Sequence, residues 1–365
     1  MTFQILALLV LLVAFLAMQG KLTIRPRRNM TGVLACNVGG VPFEQVSKDA
    51  QIALTEFGQE LTMALTQPAV EPWAKNLGLY KSTRALRTIW PIPISAAAFR
   101  EFRGDPKRRD LFEKSIPLSP KSYFDGFSAL ARVVEAPDFI GWDIQPAAIA
   151  AAQVSLLNEL IQVQLEANPV CYDGANFFTS AATGASSHAY NVFNRAIGTF
   201  ANDITGNLAP SSANIATAKQ NFRLVKAPNG KPLGLRMTHV LAPPQLEEVF
   251  KQLLTQDMII QALPLPTPGT PVANSFFGAV DNIYKNTVKL IICDELTNAT
   301  TWYPLALNKP GMLPWVVQDW GSPEIVVHDK TSPMFTEKRK IGMDFYMEGG
   351  GQLLLPQCIQ RFGNS

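Results

Sequence analysis

Residues 146–178 read PAAIAAAQVSLLNELIQVQLEANPVCYDGANFF. Pro146 suits the first position of a helix, where a missing N–H leaves no intrahelical bond unmade. Asn168-Pro169 stops the run, because the residue before a proline is steered out of helical geometry. The span between them, Pro146 to Ala167, is predicted to be the longest uninterrupted helix of the chain. Its first half is alanine-rich, so other backbones can approach it closely. Its second half carries Leu156, Leu157, Leu160, Ile161 and Leu165, an apolar stripe that must be buried.

Downstream of this helix the pattern stays mixed. A second helix is expected from Ser212 to Val225, closed by the Asn229-Gly230 turn. Leu235 to Leu241 reads as a buried strand, and a third helix begins at Pro244 with QLEEVFKQLL. After Pro264 the chain turns to β-branched and aromatic runs at Thr287 to Cys293, Thr301 to Leu307, Glu324 to His328 and Lys340 to Met347. Gly349-Gly350-Gly351 reads as a turn or bulge between C-terminal strands. Helices followed by runs of strand, without βαβ alternation, place the chain in the α+β class.

Upstream, Gly32 to Gly40 reads as a loop. Pro42 then opens an amphipathic helix with Phe43, Val46, Ala50, Leu54, Phe57, Leu61 and Ala64 on one stripe, stopped by Pro68. Between Trp90 and Trp142 the character changes. Arg100, Arg103, Lys107, Arg108, Arg109, Lys114 and Lys121 alternate with acidic residues, and Pro91, Pro93, Pro106, Pro117 and Pro120 interrupt any long helix. Strand pieces are expected here, such as Ser128 to Glu135. About fifty residues is too long for an idle loop, which favours an arm that contacts a partner.

The chain has 365 residues, 47% of them hydrophobic and only 17% charged. An average soluble domain carries about 25% charged residues, so disorder is excluded and much of the surface is expected to be covered. A net charge of +3 is too balanced for a dedicated nucleic-acid binder. Cys36, Cys171, Cys293 and Cys358 are widely spaced, which argues against a zinc site and reads as free thiols. No phosphate-binding glycine motif follows a strand, so nucleotide binding has no support. Ser186-Ser187-His188 lacks the G-x-S-x-G frame of a nucleophile elbow. Asp294-Glu295 and His328-Asp329 are not read as acid–base pairs, because neighbours on a strand point to opposite faces, and surface roles are expected for so nonspecific a pattern. No catalytic residue, cofactor-binding residue, cofactor or metal ligand is assigned, and the protein is not expected to be an enzyme.

The first twenty residues carry no charge, and Phe3 to Met18 is apolar except for Gln4. Sixteen helical residues span roughly 24 Å, short of the ~30 Å hydrocarbon core. Lys21, Arg25, Arg27 and Arg28 follow, which would keep the rest of the chain cytoplasmic. Three readings stand: a signal-anchor, a helix buried between subunits, or an upstream start with Met30 as the true one. A single-pass membrane protein with a cytoplasmic α+β domain is therefore the alternative, with membrane contact through Phe3 to Met18.

Several words of the sequence occur in an order and spacing that resemble the major head subunit of Mu-like bacteriophages. They are Cys171-Tyr172-Asp173-Gly174 with Asn176-Phe177-Phe178, then Asn229-Gly230-Lys231-Pro232-Leu233, then His239 to Glu247. Asp294-Glu295-Leu296-Thr297-Asn298, Trp302-Tyr303 and Gly342-Met343-Asp344-Phe345 follow. The signature positions are Tyr172, Asp173, Gly174, Phe177, Phe178, Gly230, Pro232 and Trp302. The resemblance covers roughly Asp138 to Phe362 and implies a Hong Kong 97-type capsid fold. The chain would divide into an apolar N-terminal helix with basic flank at 1–29, which this family does not require, an N-terminal arm with the amphipathic helix at 30–87 and, as the resemblance implies, an extended hairpin arm at 88–138. A peripheral domain would take 139–182 and 317–365, and an axial domain 183–316. The same resemblance implies pentamers and hexamers of the chain in an icosahedral shell, enclosing double-stranded DNA bound nonspecifically. Portal and scaffold or protease proteins would be partners, with assembly in the host cytoplasm and residence in the virion. The seven basic residues from Arg100 to Lys121 would then lie across a neighbouring subunit, where charge sets register. An encapsulin-like compartment shares the implied fold and differs in cargo.

Overall fold

The computed structural model describes residues 72–93, 113–130, 145–206, 208–263, 276–319, 321, 324–328 and 331–363. In chain order a short helix α1 (Trp73–Leu77) leads into β1 (Leu79–Ser82), the pair β2 (Thr88–Pro93) and β3 (Glu113–Leu118), and the long β4 (Lys121–Leu130). Helix α2 (Gln145–Ala167) precedes three short strands, β5 (His188–Ala189), β6 (Thr199–Phe200) and β7 (Asp203–Thr205). Helix α3 (Ser212–Leu224), β8 (His239–Ala242) and α4 (Glu247–Thr255) follow, then β9 (Met258–Leu263) and β10 (Phe276–Asp281). The chain ends with β11 (Lys289–Ile292), β12 (Tyr303–Leu305), β13 (Trp315–Asp319), β14 (Glu324–His328), α5 (Pro333–Lys338), β15 (Lys340–Leu353) and β16 (Arg361–Gly363). Helices and strands are mixed without alternation, as the α+β expectation holds.

The chain divides into two compact units. The smaller takes Met1–Gly58, Ser128–Trp142 and Val327–Gly342, and its described part centres on α5. Arg339 ends that helix in the left-handed conformation, with φ 53°. The larger unit takes Gln59–Phe127, Asp143–Val326 and Met343–Ser365.

Within the larger unit, β1 runs parallel to β13, which runs antiparallel to β15. A second sheet sets β8 between β11, parallel, and β12, antiparallel. Helix α2 supplies Leu157, Ile161 and Leu165, one turn apart, to a core with Trp73, Phe177, Phe178, Tyr303 and Trp315. The indole of Trp315 donates to Ala74 O at 2.8 Å. A Cβ on Gly78 would stand 2.2 Å from that ring, so the end of α1 must be glycine. A second core gathers Ile215 and Phe222 of α3, Phe250 and Leu254 of α4, Trp302 and Phe362. A third gathers Ile92, Ile116 and Leu118 of the β2–β3 ribbon against Val316, Leu354 and Cys358.

Helix α2 ends where the proline signal places it. Asn168 takes the left-handed conformation, with φ 49°. Its side chain accepts from Phe178 N–H at 2.6 Å and donates to Phe178 O at 2.9 Å. The helix end is thus clamped to the second signature phenylalanine.

Three expectations need correction. The three glycines 349–351 lie inside β15, not in a turn. The register places them opposite Asp319, Gln318 and Val317 of β13. They are glycines because neighbours press on both faces: a Cβ on Gly351 would lie 2.8 Å from Ile161 Cδ1, and one on Gly350 3.1 Å from Leu118 Cδ1. The expected strand Leu235 to Leu241 narrows to β8. Leu235 and Met237 are buried, yet Arg236 N–H is satisfied by the Asn308 side chain rather than by a ladder. The strand expected at Ser128 to Glu135 begins earlier, since β4 starts at Lys121 and residues 131–135 lie outside the described residues.

Phe3 to Met18, the helix expected from Pro42 to Ala64 and the stretch holding Arg100, Arg103, Lys107, Arg108 and Arg109 also lie outside the described residues. Among the described residues no helix is long and apolar enough to cross a membrane.

Candidate functional site

The chain leaves α2 through Pro169 and folds back at once. Cys171 N–H donates to Ala175 O at 2.7 Å and Gly174 N–H to Cys171 O at 3.0 Å. Gly174 sits at φ 87°, a conformation that penalises any side chain. Asp173 Oδ1 accepts from Ala175 N–H at 3.2 Å, so the aspartate builds the turn it belongs to. Phe177 and Phe178 then point into the first core, their rings edge to face with centroids 5.1 Å apart.

The other carboxylate oxygen of Asp173 meets His188 Nδ1 at 2.8 Å, and both side chains are wholly without accessible surface. Ala189 N–H adds a second donor to that oxygen at 3.3 Å. His188 Nε2 lies 2.9 Å from Phe177 O. Both ring nitrogens therefore lie within hydrogen-bond distance of oxygens of the same chain. Burial pushes the Asp173 carboxyl up, but the His188 hydrogen bond and charge and the two backbone N–H groups outweigh it and hold it below the usual carboxylate range.

Cys171 Sγ completes a group of three donor atoms within 4.8 Å of one another. As arranged, each imidazole nitrogen is already engaged by an oxygen of its own chain. Burial pushes the Cys171 thiol up, and the Asp173 charge adds to the effect. A thiol held neutral is a poor nucleophile. The cluster can lock a turn; it has no group poised to attack a substrate.

The same turn meets β3. Lys114 of β3 donates from Nζ to Tyr172 O at 3.0 Å, so this basic residue is engaged within its own chain. Gln357 donates to the Tyr172 hydroxyl at 3.1 Å from the C-terminal side. Lys121, at the start of β4, is exposed.

The remaining signature positions fall elsewhere in the larger unit. Gly230 holds a turn at φ 83°, its N–H bonded to Ala227 O at 2.8 Å, with Pro232 exposed beside it. Trp302 is fully buried, stacked on Phe362 with centroids 4.4 Å apart, and its indole donates to Leu208 O at 2.9 Å. The structure thus gathers Tyr172 to Phe178 in one place and leaves Gly230, Pro232 and Trp302 as separate supports.

Two working residues had no signal in the chain. His188 lies fifteen positions from Asp173 in sequence, and only the fold joins them. Glu295 was expected on the surface and is instead half-buried, a correction that follows from its donors. It accepts from Asn158 Nδ2 at 2.8 Å, Trp73 Nε1 at 3.2 Å and Cys293 Sγ at 3.2 Å. Its neighbour Asp294 is exposed as expected, and both lie in the turn after β11 rather than on a strand.

Comparison with known proteins follows the same segment. The sequence pattern of the phage capsid protein family matches residues 171–353, half of the chain. No curated protein is a significant match to this sequence. Among solved structures, the chain is similar to the procapsid of bacteriophage JBD30, with 12% identity over 86% of this chain and 75% of that one and a TM-score of 0.49. It is similar to the capsid of an empty GTA particle at 9% identity, 82% and 92% coverage and a TM-score of 0.48. It is also similar to the holo-SrpI encapsulin complex from Synechococcus elongatus PCC 7942 at 11% identity, 81% and 88% coverage and a TM-score of 0.43. The matched segment opens on the Cys171 turn and closes at the last residue of β15, and on that match the chain belongs to the phage capsid protein family.

Proposed function

We propose that this protein is the major shell-building subunit of a tailed phage or prophage of the Mu-like kind. Copies assemble as pentamers and hexamers into an icosahedral shell around double-stranded DNA. The observation that carries this reading is the family match over residues 171–353. The Hong Kong 97-type fold follows from the same reading, supported by an element order in which a β-ribbon precedes a long helix and a mixed α+β remainder. In these terms residues 88–138 are the hairpin arm, 139–182 with 317–365 the peripheral domain, and 183–316 the axial domain. Assembly takes place in the host cytoplasm with portal and scaffold or protease partners.

The chemistry of the described residues fits a structural role. The one cluster with a thiol, a carboxylate and an imidazole spends its hydrogen-bonding capacity on holding a turn. A net charge of +3 suits a container for DNA, since each phosphate contact strengthens binding and would slow the movement of packaged DNA. The low charged fraction suits a subunit whose surface is shared with several neighbours.

Negative-stain electron microscopy of the purified full-length protein tests the reading. Uniform shells, or rings of five and six subunits, are expected. A protein that remains monomeric at micromolar to millimolar concentration, with and without scaffold-type crowding agents, would overturn it.

A further inference from the structure

Two of the three buried thiols among the described residues have an acceptor. Cys293 Sγ lies 3.2 Å from Glu295 Oε2, and Cys358 Sγ lies 3.5 Å from Met312 O. Cys171, 9% exposed, has no acceptor among the described residues. Its sulfur is faced instead by the backbone N–H groups of Tyr172 and Asp173 and by the charge of Lys114, all of which favour a thiolate. The same sulfur stands within 4.8 Å of a carboxylate oxygen of Asp173 and a ring nitrogen of His188. A sulfur surrounded by donors, in a place too apolar to hold an unpaired negative charge, calls for a cation.

The His188 ring is oriented for one. A metal-binding imidazole almost always donates its other N–H to a carbonyl or a carboxylate, which fixes the ring. Nε2 lies 2.9 Å from Phe177 O. With that contact as the donor, Nδ1 turns its lone pair on Asp173 Oδ2, 2.8 Å away. A lone pair set against a carboxylate oxygen needs a cation between them, a proton or a metal ion. Bonds of about 2.0–2.3 Å to a tetrahedral ion hold its ligand atoms about 3–4 Å apart, so the three donor atoms need only small shifts. The charges also balance: a divalent cation, one thiolate and one carboxylate sum to zero, which lowers the cost of burying them. Magnesium and calcium are held by oxygen ligands, whereas a sulfur beside an imidazole suits zinc.

We infer that Cys171, Asp173 and His188 bind a divalent cation of the zinc type, through the thiolate, a carboxylate oxygen and Nδ1, with a solvent molecule as the fourth ligand. The thiol proton leaves to solvent, each ligand atom donates one electron pair to the ion, and nothing is oxidised or reduced. Asp173 Oδ1 keeps its bond from Ala175 N–H, and Nε2 keeps Phe177 O, so the turn that delivers two of the ligands stays closed. The ion would staple the end of α2 to β5, where His188 sits. The wide spacing of the cysteines argues against a zinc site built on cysteine pairs; this set needs a single cysteine. The inference goes beyond the capsid reading and stands or falls without it.

The test uses the full-length chain carrying Cys36→Ala, with cobalt(II) and zinc as probes, added to the native protein and during refolding. Cobalt is expected to bind at about one ion per chain with a thiolate-to-metal charge-transfer band, which zinc abolishes by displacing it. Zinc should raise the melting temperature, and a chelator should return it to the metal-free value. Cys171→Ser leaves the Asp173–His188 contact in place. It is expected to melt with the metal-free parent, to lose the band and to bind zinc at least tenfold more weakly, while Cys293→Ser keeps the band. X-ray absorption at the zinc edge of the parent should show one sulfur among nitrogen and oxygen ligands, a readout that does not depend on any variant folding. No charge-transfer band in the folded parent, or a zinc shell without sulfur, would overturn the inference. So would a band that survives Cys171→Ser or vanishes in folded Cys293→Ser, since the ion would then sit elsewhere.

Discussion

His188 and Asp173 have no water to fall back on. Each side chain is wholly without accessible surface, so their mutual hydrogen bond and the backbone partners must satisfy every polar atom between them. Removing one partner of such a pair strands the other, at a cost of about 3–5 kcal/mol. The carboxyl of Asp173 is held below its ordinary value by the pair, against the upward push of burial. A folded-state value below the unfolded one means the pair stabilises the protein above the ordinary aspartate range. That stabilisation is lost as pH falls through the folded value. Asp173→Asn should therefore melt lower than wild type at neutral pH, with the gap closing steadily below about pH 4. Melting curves across pH 2–7 check this; a gap that stayed constant with pH would show that the charge of Asp173 contributes nothing.

Helix α2 and strand β15 approach more closely than ordinary side chains allow, and the glycines of β15 are the reason. Gly349 and Gly351 turn toward the helix, where Leu160 Cδ1 would stand 3.4 Å from a Cβ on the first and Leu160 O 3.2 Å from one on the second. Gly350 turns the other way, toward Leu118 of β3. One strand thus separates α2 from the β2–β3 ribbon with no side chain of its own at three consecutive positions. Gly351→Ala would drive a methyl group into Ile161 Cδ1 at 2.8 Å and against the Leu160 carbonyl. A side-chain tip can swing aside but a helix carbonyl cannot, so a loss of about 1–3 kcal/mol is expected. Chemical denaturation gives the value directly, and an unchanged midpoint would mean the helix can move outward. This contact also shows where reading the chain alone fell short. Helix α2 could be read because its apolar spacing, its opening proline and its Asn-Pro stop are all local. The glycine run could not, because in isolation three glycines say turn, and the helix that requires them lies nearly two hundred residues earlier. The Asp173–His188 pair was hidden for the same reason: its two halves become neighbours only after the chain folds back. The signature words were readable as a family pattern, while the role of each residue within them was not.

Among the described residues the larger unit carries three cores, and its cysteines report on two of them. Cys171 and Cys293 lie in the core built on α2, and Cys358 lies in the one beneath the β2–β3 ribbon. All three are free and buried. Burial pushes the Cys358 thiol up to about 12. Burial raises Cys171 and Cys293 as well, with help from Asp173 in one case and Glu295 in the other. Alkylation needs a thiolate and a path to it, so at pH 8 none of the three should react from the native state. Labelling then measures opening. The cores share strands and helices: α2 packs on β15, whose neighbour β13 contributes Trp315 and Val317 to one core and Val316 to the other. A unit so interlocked should open as one. In a Cys36→Ala background, peptide mass mapping of a labelling time course should give Cys171, Cys293 and Cys358 one common rate, equal to the global unfolding rate when labelling is fast. If Cys358 reacted well ahead of the other two, the ribbon and the C-terminal turn beneath it would be a separately opening piece, as an arm that must rearrange during assembly would require. If the subunits form shells, the common rate should fall further in assembled particles, because a contact made only by the folded subunit stabilises it by mass action.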